Sequence, residues 1–232
     1  MKKRSLAIIS FSGIDGAGKS TQIEALQTWL IHSGHKVSTL TMWDDVVVGA
    51  RWRELASQRA FGGDQGVGSP EKPIERRDKN VTSGPLAIIR WCLYLADALS
   101  LSLRVRRVQQ ACSHDVLIFD RYIYDELANL SLKQKLSKGI ARLILKLVPA
   151  PDVACILDAD PEAARLRKPE YPLDFLRRNR QAYLALTEIT ANLMVLENVS
   201  IDETASKIRA ALLPILSGKQ SSAPRSFLAL RL

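Results

Sequence analysis

Residues 13–20 read Gly13-Ile14-Asp15-Gly16-Ala17-Gly18-Lys19-Ser20, which is a complete G-x-x-x-x-G-K-[ST] pattern. The glycines of such a loop let the backbone wrap a polyphosphate with its N–H groups, the lysine supplies a charge to the outer phosphates, and the hydroxyl can ligate Mg²⁺. A helix that begins at Gly18 adds the positive end of its dipole. The pattern therefore predicts a phosphate-binding loop, with Lys19 at the phosphates and Ser20 at a magnesium ion.

The sequence on either side of this loop predicts the strand and the helix that the pattern requires. Residues 6–11 are nearly continuous in apolar side chains and rich in isoleucine, as expected of a strand buried on both faces. After Thr21, apolar residues recur at helical spacing until Ser33 and Gly34 end the pattern. A glycine-rich turn that matched the loop by chance would not be flanked in this way.

The composition predicts one α/β domain. With 232 residues, 47% of them hydrophobic, the chain can bury a full core. It contains no apolar run of about 18 residues, and residues 1–4 lead into the first strand without a secretory cleavage pattern. The cysteines Cys92, Cys112 and Cys155 are scattered, which indicates neither a zinc site nor a disulfide framework. We therefore expect a soluble protein of the reducing cytoplasm, without a membrane partner.

The net charge of +9 raises the question of nucleic-acid binding. The excess cations lie in separate segments, including 76–77, 104–107 and 177–178, and no single stripe alternates with aromatic residues. A protein that holds two phosphorylated ligands also needs many cations. We therefore expect small phosphorylated ligands rather than a nucleic acid.

Strand patterns alternate with helical patterns along the chain, which is typical of a parallel sheet covered by helices on both faces. The predicted strands lie at 6–11, 36–41, 116–119, 153–157 and 193–196, and a closing helix lies at about 202–216. We expect a five-stranded, three-layer α/β/α domain over residues 1–216 and a flexible tail over 217–232. The polar stretch from 61 to 84 is too long for a passive connection and is predicted to be a mobile active-site segment.

A second candidate element, Asp120-Arg121-Tyr122, follows the third predicted strand. Ligands of open α/β sheets gather at the carboxyl ends of the strands. Asp120 can hold Mg²⁺ there, and the guanidinium of Arg121 can bridge donor and acceptor phosphates. The alternative is a capping aspartate followed by a surface arginine.

A third element is the basic run Arg165-Leu166-Arg167-Lys168, which Pro169 and Pro172 follow. Phosphoryl transfer spreads negative charge over oxygens, and cations on a closing flap stabilise that charge. We therefore predict a lid at about 165–175 that delivers Arg165 and Arg167, with a short exposed link between the prolines. The alternative is a solvated basic helix end.

Several motifs make the sequence resemble the thymidylate kinase family. They are residues 11–22, Ala96-Asp97, Asp120-Arg121-Tyr122, Pro151-Asp152, Leu157-Asp158 and Pro161-Glu162, and their order and spacing match across residues 5–215. The resemblance implies a P-loop kinase fold and an enzyme that passes the γ-phosphate of ATP to dTMP with Mg²⁺.

The resemblance also implies roles for individual residues. By this resemblance, residues 13–21 bind ATP and Asp15 binds the 3′-hydroxyl of the acceptor's sugar. Lys19 and Arg121 contact the phosphates, and Ser20 and Asp120 ligate the metal. Gly16 stands where some members carry an arginine. This resembles the class whose catalytic arginines come from the lid, which here are Arg165 and Arg167.

The sequence departs from the family pattern where the acceptor base should bind. Tyr94 can supply the aromatic ring that stacks on thymine, but Ala98 stands where the family has a base-reading arginine. Residues 43–45 replace the family's Glu-Pro-Gly-Gly turn, which leaves Arg51 or Arg53 as candidates for the acceptor phosphate. Losing a buried reader costs discrimination on the order of several kcal/mol, unless another side chain replaces it.

Three classes of function remain open on this evidence. The first is a nucleoside monophosphate kinase, with dTMP as the leading acceptor. The second is a P-loop kinase for another small acceptor, such as a nucleoside or a phosphorylated sugar, which Ala98 and the altered segment after Tyr122 favour. The third is an ATP-binding regulatory protein without turnover, against which Lys19, Asp120 and the lid arginines argue.

Two apolar helical patterns raise the question of binding partners, one of a second copy of the chain and one of a membrane surface. The resemblance implies a homodimer through the helix of Leu93 and Leu99, although that apolar stripe would equally suit the core. Residues 132–148 form a basic amphipathic pattern, which could touch an anionic membrane surface. A core-packed helix with a solvated basic face is the favoured interpretation.

Overall fold

The computed structural model describes residues 6–49, 84–111, 113–130, 132, 134–197 and 200–218. Its strands are β1 (Ala7–Ser12), β2 (Val37–Thr41), β3 (Val116–Asp120), β4 (Val153–Asp158) and β5 (Leu193–Glu197). Its helices are α1 (Lys19–His32), α2 (Gly84–Ala111), α3 (Ile123–Leu127), α4 (Lys135–Leu147), α5 (Pro161–Arg167), α6 (Leu173–Ala185) and α7 (Ile201–Leu216), with a π-helical turn at Met42–Val46 and a 3₁₀ turn at Leu186–Glu188.

The five strands form one parallel sheet in the order β2-β3-β1-β4-β5. The strand β1 is central, and its register pairs Phe11 with Asp120 of β3 and Ser12 with Ile156 of β4. The carboxyl ends of these three strands therefore meet at one edge of the sheet, where the chain continues from β1 into the phosphate loop. The predicted P-loop α/β fold is confirmed, and each predicted strand lies within one residue of its observed bounds.

The core forms where apolar strand residues meet the apolar faces of the helices. All six residues of β1 are buried, since both faces of the strand are covered. Leu26 and Leu30 of α1 and Ile208 and Leu212 of α7 are also buried. Because α1 packs on α7 and α2 packs on α4, pairs of helices enclose the sheet.

The apolar stripe that the sequence pattern predicts on α2 faces away from the core. Leu99 and Leu103 are more than half exposed, whereas Leu101 and Val105 are fully buried. The interpretation of Leu99 as a core residue is therefore wrong. Apolar residues occur all round this helix, so periodicity alone does not identify the inward face.

The link between α5 and α6 is less exposed than the two prolines suggest. Tyr171 is buried, and its ring centroid lies 5.0 Å from that of Phe175 in α6. The prediction of an exposed link is therefore wrong at this residue, because the aromatic pair attaches the link to the following helix.

Two predicted segments fall largely outside the described residues. These are the active-site segment at 61–84, of which only Gly84 is described, and the tail, of which Ser217 and Gly218 are described. None of the helices in the described part of the chain combines the length and the apolar character needed to cross a bilayer.

Candidate active site

The phosphate loop approaches two neighbouring backbones closely, and glycines make this approach feasible. Gly13 has φ 139°, and a Cβ there would lie 2.5 Å from the carbonyl oxygen of Leu157 in β4. Gly16 has φ 82°, and a Cβ there would meet the carbonyl oxygen of Ala164 in α5. The loop is therefore seated between β4 and the first helix of the predicted lid.

The amino-terminal end of α1 faces this loop. Its N-cap residue is Gly18, which has φ 90° and no side chain that could cap the helix. The first turn contains no acidic side chain. A helix end with exposed N–H donors and no competing acid fits the phosphates of a nucleotide.

The ammonium group of Lys19 is buried against the loop. Its Nζ donates hydrogen bonds to the carbonyl oxygens of Gly13 and Ile14, both at 2.9 Å. Burial, together with the charge of Arg121, lowers the pKa of Lys19 to about 8, although nearby Asp15, Asp125 and Asp120 act in the opposite direction. The lysine thus sits among the charged groups of the site, as the loop pattern predicts.

Arg121 occupies a left-handed backbone conformation, with φ 66°, at the turn after β3. Its N–H donates to the carbonyl oxygen of Phe11 at 2.9 Å, which continues the pairing of β3 with β1 beyond Asp120. A non-glycine residue with positive φ costs roughly 1–3 kcal/mol and is held in place by its surroundings. The turn aims the guanidinium at the phosphate loop instead of at solvent.

Two carboxylates bind the guanidinium of Arg121. Its Nη2 donates to Oδ1 of Asp15, and its Nη1 donates to Oδ1 of Asp125 at 3.3 Å. Burial opposes the positive charge, but Asp15 and Asp125 outweigh this effect and raise the pKa of Arg121 above its usual value. The structure therefore brings together Asp15, Lys19 and Arg121, three residues that the sequence analysis placed in the site.

Asp125 is a member of this cluster that the sequence analysis did not identify. Its Oδ2 accepts from the hydroxyl of Ser12 at 2.6 Å and from the N–H of Tyr122 at 3.0 Å, and its Oδ1 accepts from the hydroxyl of Tyr183 at 2.7 Å. Its place three residues after Tyr122, the N-cap of α3, was a signal for a capping carboxylate but not for a contact with Arg121. Tyr183 had no such signal, because α6 reaches the site only through the tertiary fold.

The candidate metal ligands come from two elements, the end of β3 and the first turn of α1. Asp120 is the last residue of β3 and is half-buried, and Ser20 is exposed in the first turn of α1. Magnesium in nucleotide sites typically takes one or two protein oxygen ligands together with substrate phosphates and water. A hydroxyl and a carboxylate of this kind fit such an ion.

The predicted lid arginines lie on α5, the helix that contacts the phosphate loop. Asp160 caps this helix by accepting from the N–H of Ala163 at 3.0 Å, and Pro161 is its first residue, as the sequence predicts. Arg165 is half-buried and Arg167 is exposed. Within the described residues, neither arginine forms an ion pair, in contrast to Arg180 of α6, which binds Asp158 through two hydrogen bonds of 2.6 and 2.8 Å.

The acceptor side is described only in part. Arg51 and Arg53 lie outside the described residues. Tyr94 is 6% exposed, and burial raises the pKa of its hydroxyl well above the usual value, with a further contribution from Glu126. Ala98 is fully buried one turn further along α2, so the position where the family has an arginine is here filled by a methyl group within the core.

Comparison with known proteins finds relatives that are repeatedly named thymidylate kinase. No protein-family model matches the chain. It is 26% identical over 222 residues to a probable thymidylate kinase of Archaeoglobus fulgidus, covering 93% of this chain and 99% of the relative. It is 29% identical over 209 residues to a probable thymidylate kinase of Methanosphaera stadtmanae, covering 86% and 96%. The solved structure of thymidylate kinase from Ehrlichia chaffeensis has the same fold, with a TM-score of 0.57, 18% identity and coverage of 90% and 99%.

Proposed function

Because the chain belongs to the thymidylate kinase family of phosphotransferases, we propose that it transfers the γ-phosphoryl group of ATP to a nucleoside monophosphate, with dTMP as the first candidate. The observation that supports this most directly is the position of Arg121. Its guanidinium binds Asp15 of the phosphate loop and lies close enough to Lys19 to lower the pKa of that lysine. A cation there can contact donor and acceptor phosphates at once.

The proposed step is a displacement at the γ-phosphorus of ATP. An anionic phosphate oxygen of the acceptor forms the new P–O bond, and the bond from the γ-phosphorus to the β,γ-bridging oxygen breaks, so that ADP leaves with that electron pair. The attacking oxygen is already ionised near neutral pH and needs no general base. The protein therefore contributes positioning and charge stabilisation.

Each proposed site residue has a task in this step. The backbone of residues 13–21 and Lys19 hold the phosphates of ATP, and Arg121 aligns the two phosphates. Arg165 and Arg167 add positive charge from α5, where Gly16 brings the phosphate loop against the helix backbone. Asp15 binds the 3′-hydroxyl of the acceptor sugar, the role that the resemblance to thymidylate kinases implies, and its carboxylate lies beside Arg121.

Magnesium, when bound, would shield the phosphate charge and orient the oxygens of ATP. Ser20 and Asp120 are the residues that would hold it, since a hydroxyl in the first turn of α1 and a carboxylate at the end of β3 both offer oxygen ligands. We propose nucleotides as the small-molecule substrates and the cytoplasm as the location, in agreement with such a reaction.

The proposal is tested by measuring ADP formation from Mg-ATP with a panel of nucleoside monophosphates. We expect turnover with at least one of them, and loss of that turnover by orders of magnitude in Lys19→Ala and in Arg121→Ala. Arg104→Ala is the control, because Arg104 pairs with Asp45 at 3.5 Å and is not among the proposed site residues. No turnover with any monophosphate, or equal losses in all three variants, would contradict the proposal.

A second acceptor class is favoured by one observation. The buried methyl group of Ala98 cannot supply the hydrogen bonds of a base-reading arginine, so discrimination for thymine must come from elsewhere or be absent. Adding nucleosides and sugar phosphates to the panel separates these cases. Preferred turnover of an acceptor other than dTMP would replace dTMP in the proposal and keep the phosphoryl transfer.

A further inference from the structure

Asp125 differs from the other acidic group around Arg121 in how completely the fold holds it. Its carboxylate accepts four hydrogen bonds, from Ser12 of β1, from the N–H of Tyr122, from Tyr183 of α6 and from Arg121 itself. Three separate elements therefore fix one carboxylate. The group is also 6% exposed, so water does not compete for these bonds.

Asp15 is placed differently. It belongs to the phosphate loop and its side chain is 12% exposed, compared with 5% for Asp125. In the proposed reaction the acceptor sugar also uses Asp15, so the bond from Asp15 to Arg121 has a competitor. In the proposed reaction no substrate group competes for the bond between Asp125 and Arg121, because the other partners of Asp125 are protein groups.

We propose that Asp125 is a positioning residue that holds the guanidinium of Arg121 in line with the phosphate loop, and that Tyr183 and Ser12 keep Asp125 in place for this task. The inference rests on the proposed function, in which Arg121 contacts both phosphates. Asp125 touches no reacting atom in this scheme and acts through Arg121.

The same hydrogen bonds connect the site to the lid. Tyr183 lies on α6, which follows α5 after the short link at residues 168–172. A displacement of α6 would therefore move the Tyr183 hydroxyl away from Asp125 and loosen Arg121. This gives the protein a physical connection from the helix that follows the predicted lid to Arg121.

The turnover test uses the full chain with Asp125→Asn, which keeps the size of the side chain and removes its charge. We expect kcat to fall about 10²-fold, as for a catalytic group displaced by roughly 1 Å, while KM for Mg-ATP changes by no more than about twofold. Tyr183→Phe removes one donor to Asp125 and should lower kcat by about tenfold. The second variant keeps the test informative if Asp125→Asn does not fold.

Asp152→Asn is the matched control. Asp152 also accepts from a backbone N–H, that of Ile8 at 3.0 Å, but it lies at the amino-terminal edge of the sheet, away from the phosphate loop. We expect its kcat to equal that of the unmodified protein. A loss in Asp152→Asn as large as that in Asp125→Asn would overturn the proposal, since it would indicate a general effect of removing a carboxylate.

A positioning role also predicts non-additivity. In an Arg121→Lys background, which keeps the charge but not the fork that binds two carboxylates, Asp125→Asn should cause little further loss of kcat. Independent, additive losses would show that Asp125 does not act through Arg121 and would overturn the proposal.

Nitrogen-15 NMR of the Arg121 guanidinium provides a readout that needs no turnover. Rotation about its Cζ–Nε bond should be slow in the unmodified protein and in Asp152→Asn, and fast in Asp125→Asn. If no acceptor is phosphorylated but this NMR pattern is observed, the proposed function fails and the restraint of Arg121 stands. If turnover is normal but Arg121 rotates freely in the unmodified protein, the positioning proposal fails and the function stands.

Discussion

Gly16 of the phosphate loop packs directly against the backbone carbonyl of Ala164, so the loop and α5 are in contact without any intervening side chain. The helix that carries Arg165 and Arg167 is thus placed by the same loop that is proposed to bind ATP. A side chain at position 16 would therefore be incompatible with the position of α5.

This contact predicts the effect of Gly16→Ala. The new Cβ would meet the Ala164 carbonyl, and the positive φ of 82° adds a cost of about 1–2 kcal/mol for a residue that has a Cβ. We expect lower stability to urea and a lower kcat, because α5 must move. Gly139→Ala in α4 is the control, since nothing lies within 4 Å of a Cβ there and alanine favours a helix by up to about 1 kcal/mol. Equal stability of the two variants would contradict the packing described.

The lid arginines should matter more together than singly. Arg165 and Arg167 form no ion pair within the described residues, and both lie within one turn of Ala164, whose carbonyl packs against Gly16 of the phosphate loop. We expect the double alanine variant to lose about 10³-fold or more in kcat, and each single variant less. Arg142→Ala, an exposed arginine of α4, serves as control. Steady-state kinetics measures the effect, and unchanged kcat in the double variant would rule out a role for this pair.

The buried lysine predicts a pH dependence of ATP binding. In this structure the pKa of Lys19 is about 8, because burial and the charge of Arg121 disfavour the ammonium form. Polyphosphate favours that form and raises the pKa, so binding near pH 8 should take up a proton, and the affinity for Mg-ATP should fall as the pH rises above 8. Calorimetry in two buffers of different ionisation enthalpy measures this uptake. The same uptake in Lys19→Met would assign the proton to another group.

Much of the fold could be predicted from the sequence because its signals are local. The buried strand at residues 6–11, the glycine pattern of the loop and the cap at Asp160-Pro161 each depend on neighbouring residues, and all three occur in the structure. The five strands follow from short apolar runs bounded by turns. Parallel pairing then brings Asp120 and Arg121 beside the loop without further information.

The parts that could not be predicted depend on tertiary contacts. Tyr183 meets Asp125 across 58 positions of sequence, and Ser12 meets it across 113, so no periodicity connects them. The inward face of α2 depends on where α4 packs, because apolar residues surround the helix. Tyr171 is buried by a contact with Phe175 that the flanking prolines do not reveal.

The exposed apolar stripe of α2 predicts an association between copies of the chain. Leu99 is 54% exposed and Leu103 is 52% exposed on the same face, and the resemblance to thymidylate kinases implies a homodimer through this helix. Replacing both leucines by glutamate places charges in the proposed contact. We therefore expect a shift from dimer to monomer in analytical ultracentrifugation, with the thermal unfolding transition retained.

Leu213→Glu is the control for this experiment. Leu213 is 51% exposed on α7, so the substitution adds one glutamate charge at a comparably exposed leucine outside the α2 stripe. We expect it to leave the sedimentation coefficient unchanged. A monomeric unmodified protein, or dissociation by both the α2 and the α7 variants, would contradict an interface at α2. Since the residues proposed to bind ATP all come from one chain, a purely monomeric form should also retain the ability to bind Mg-ATP.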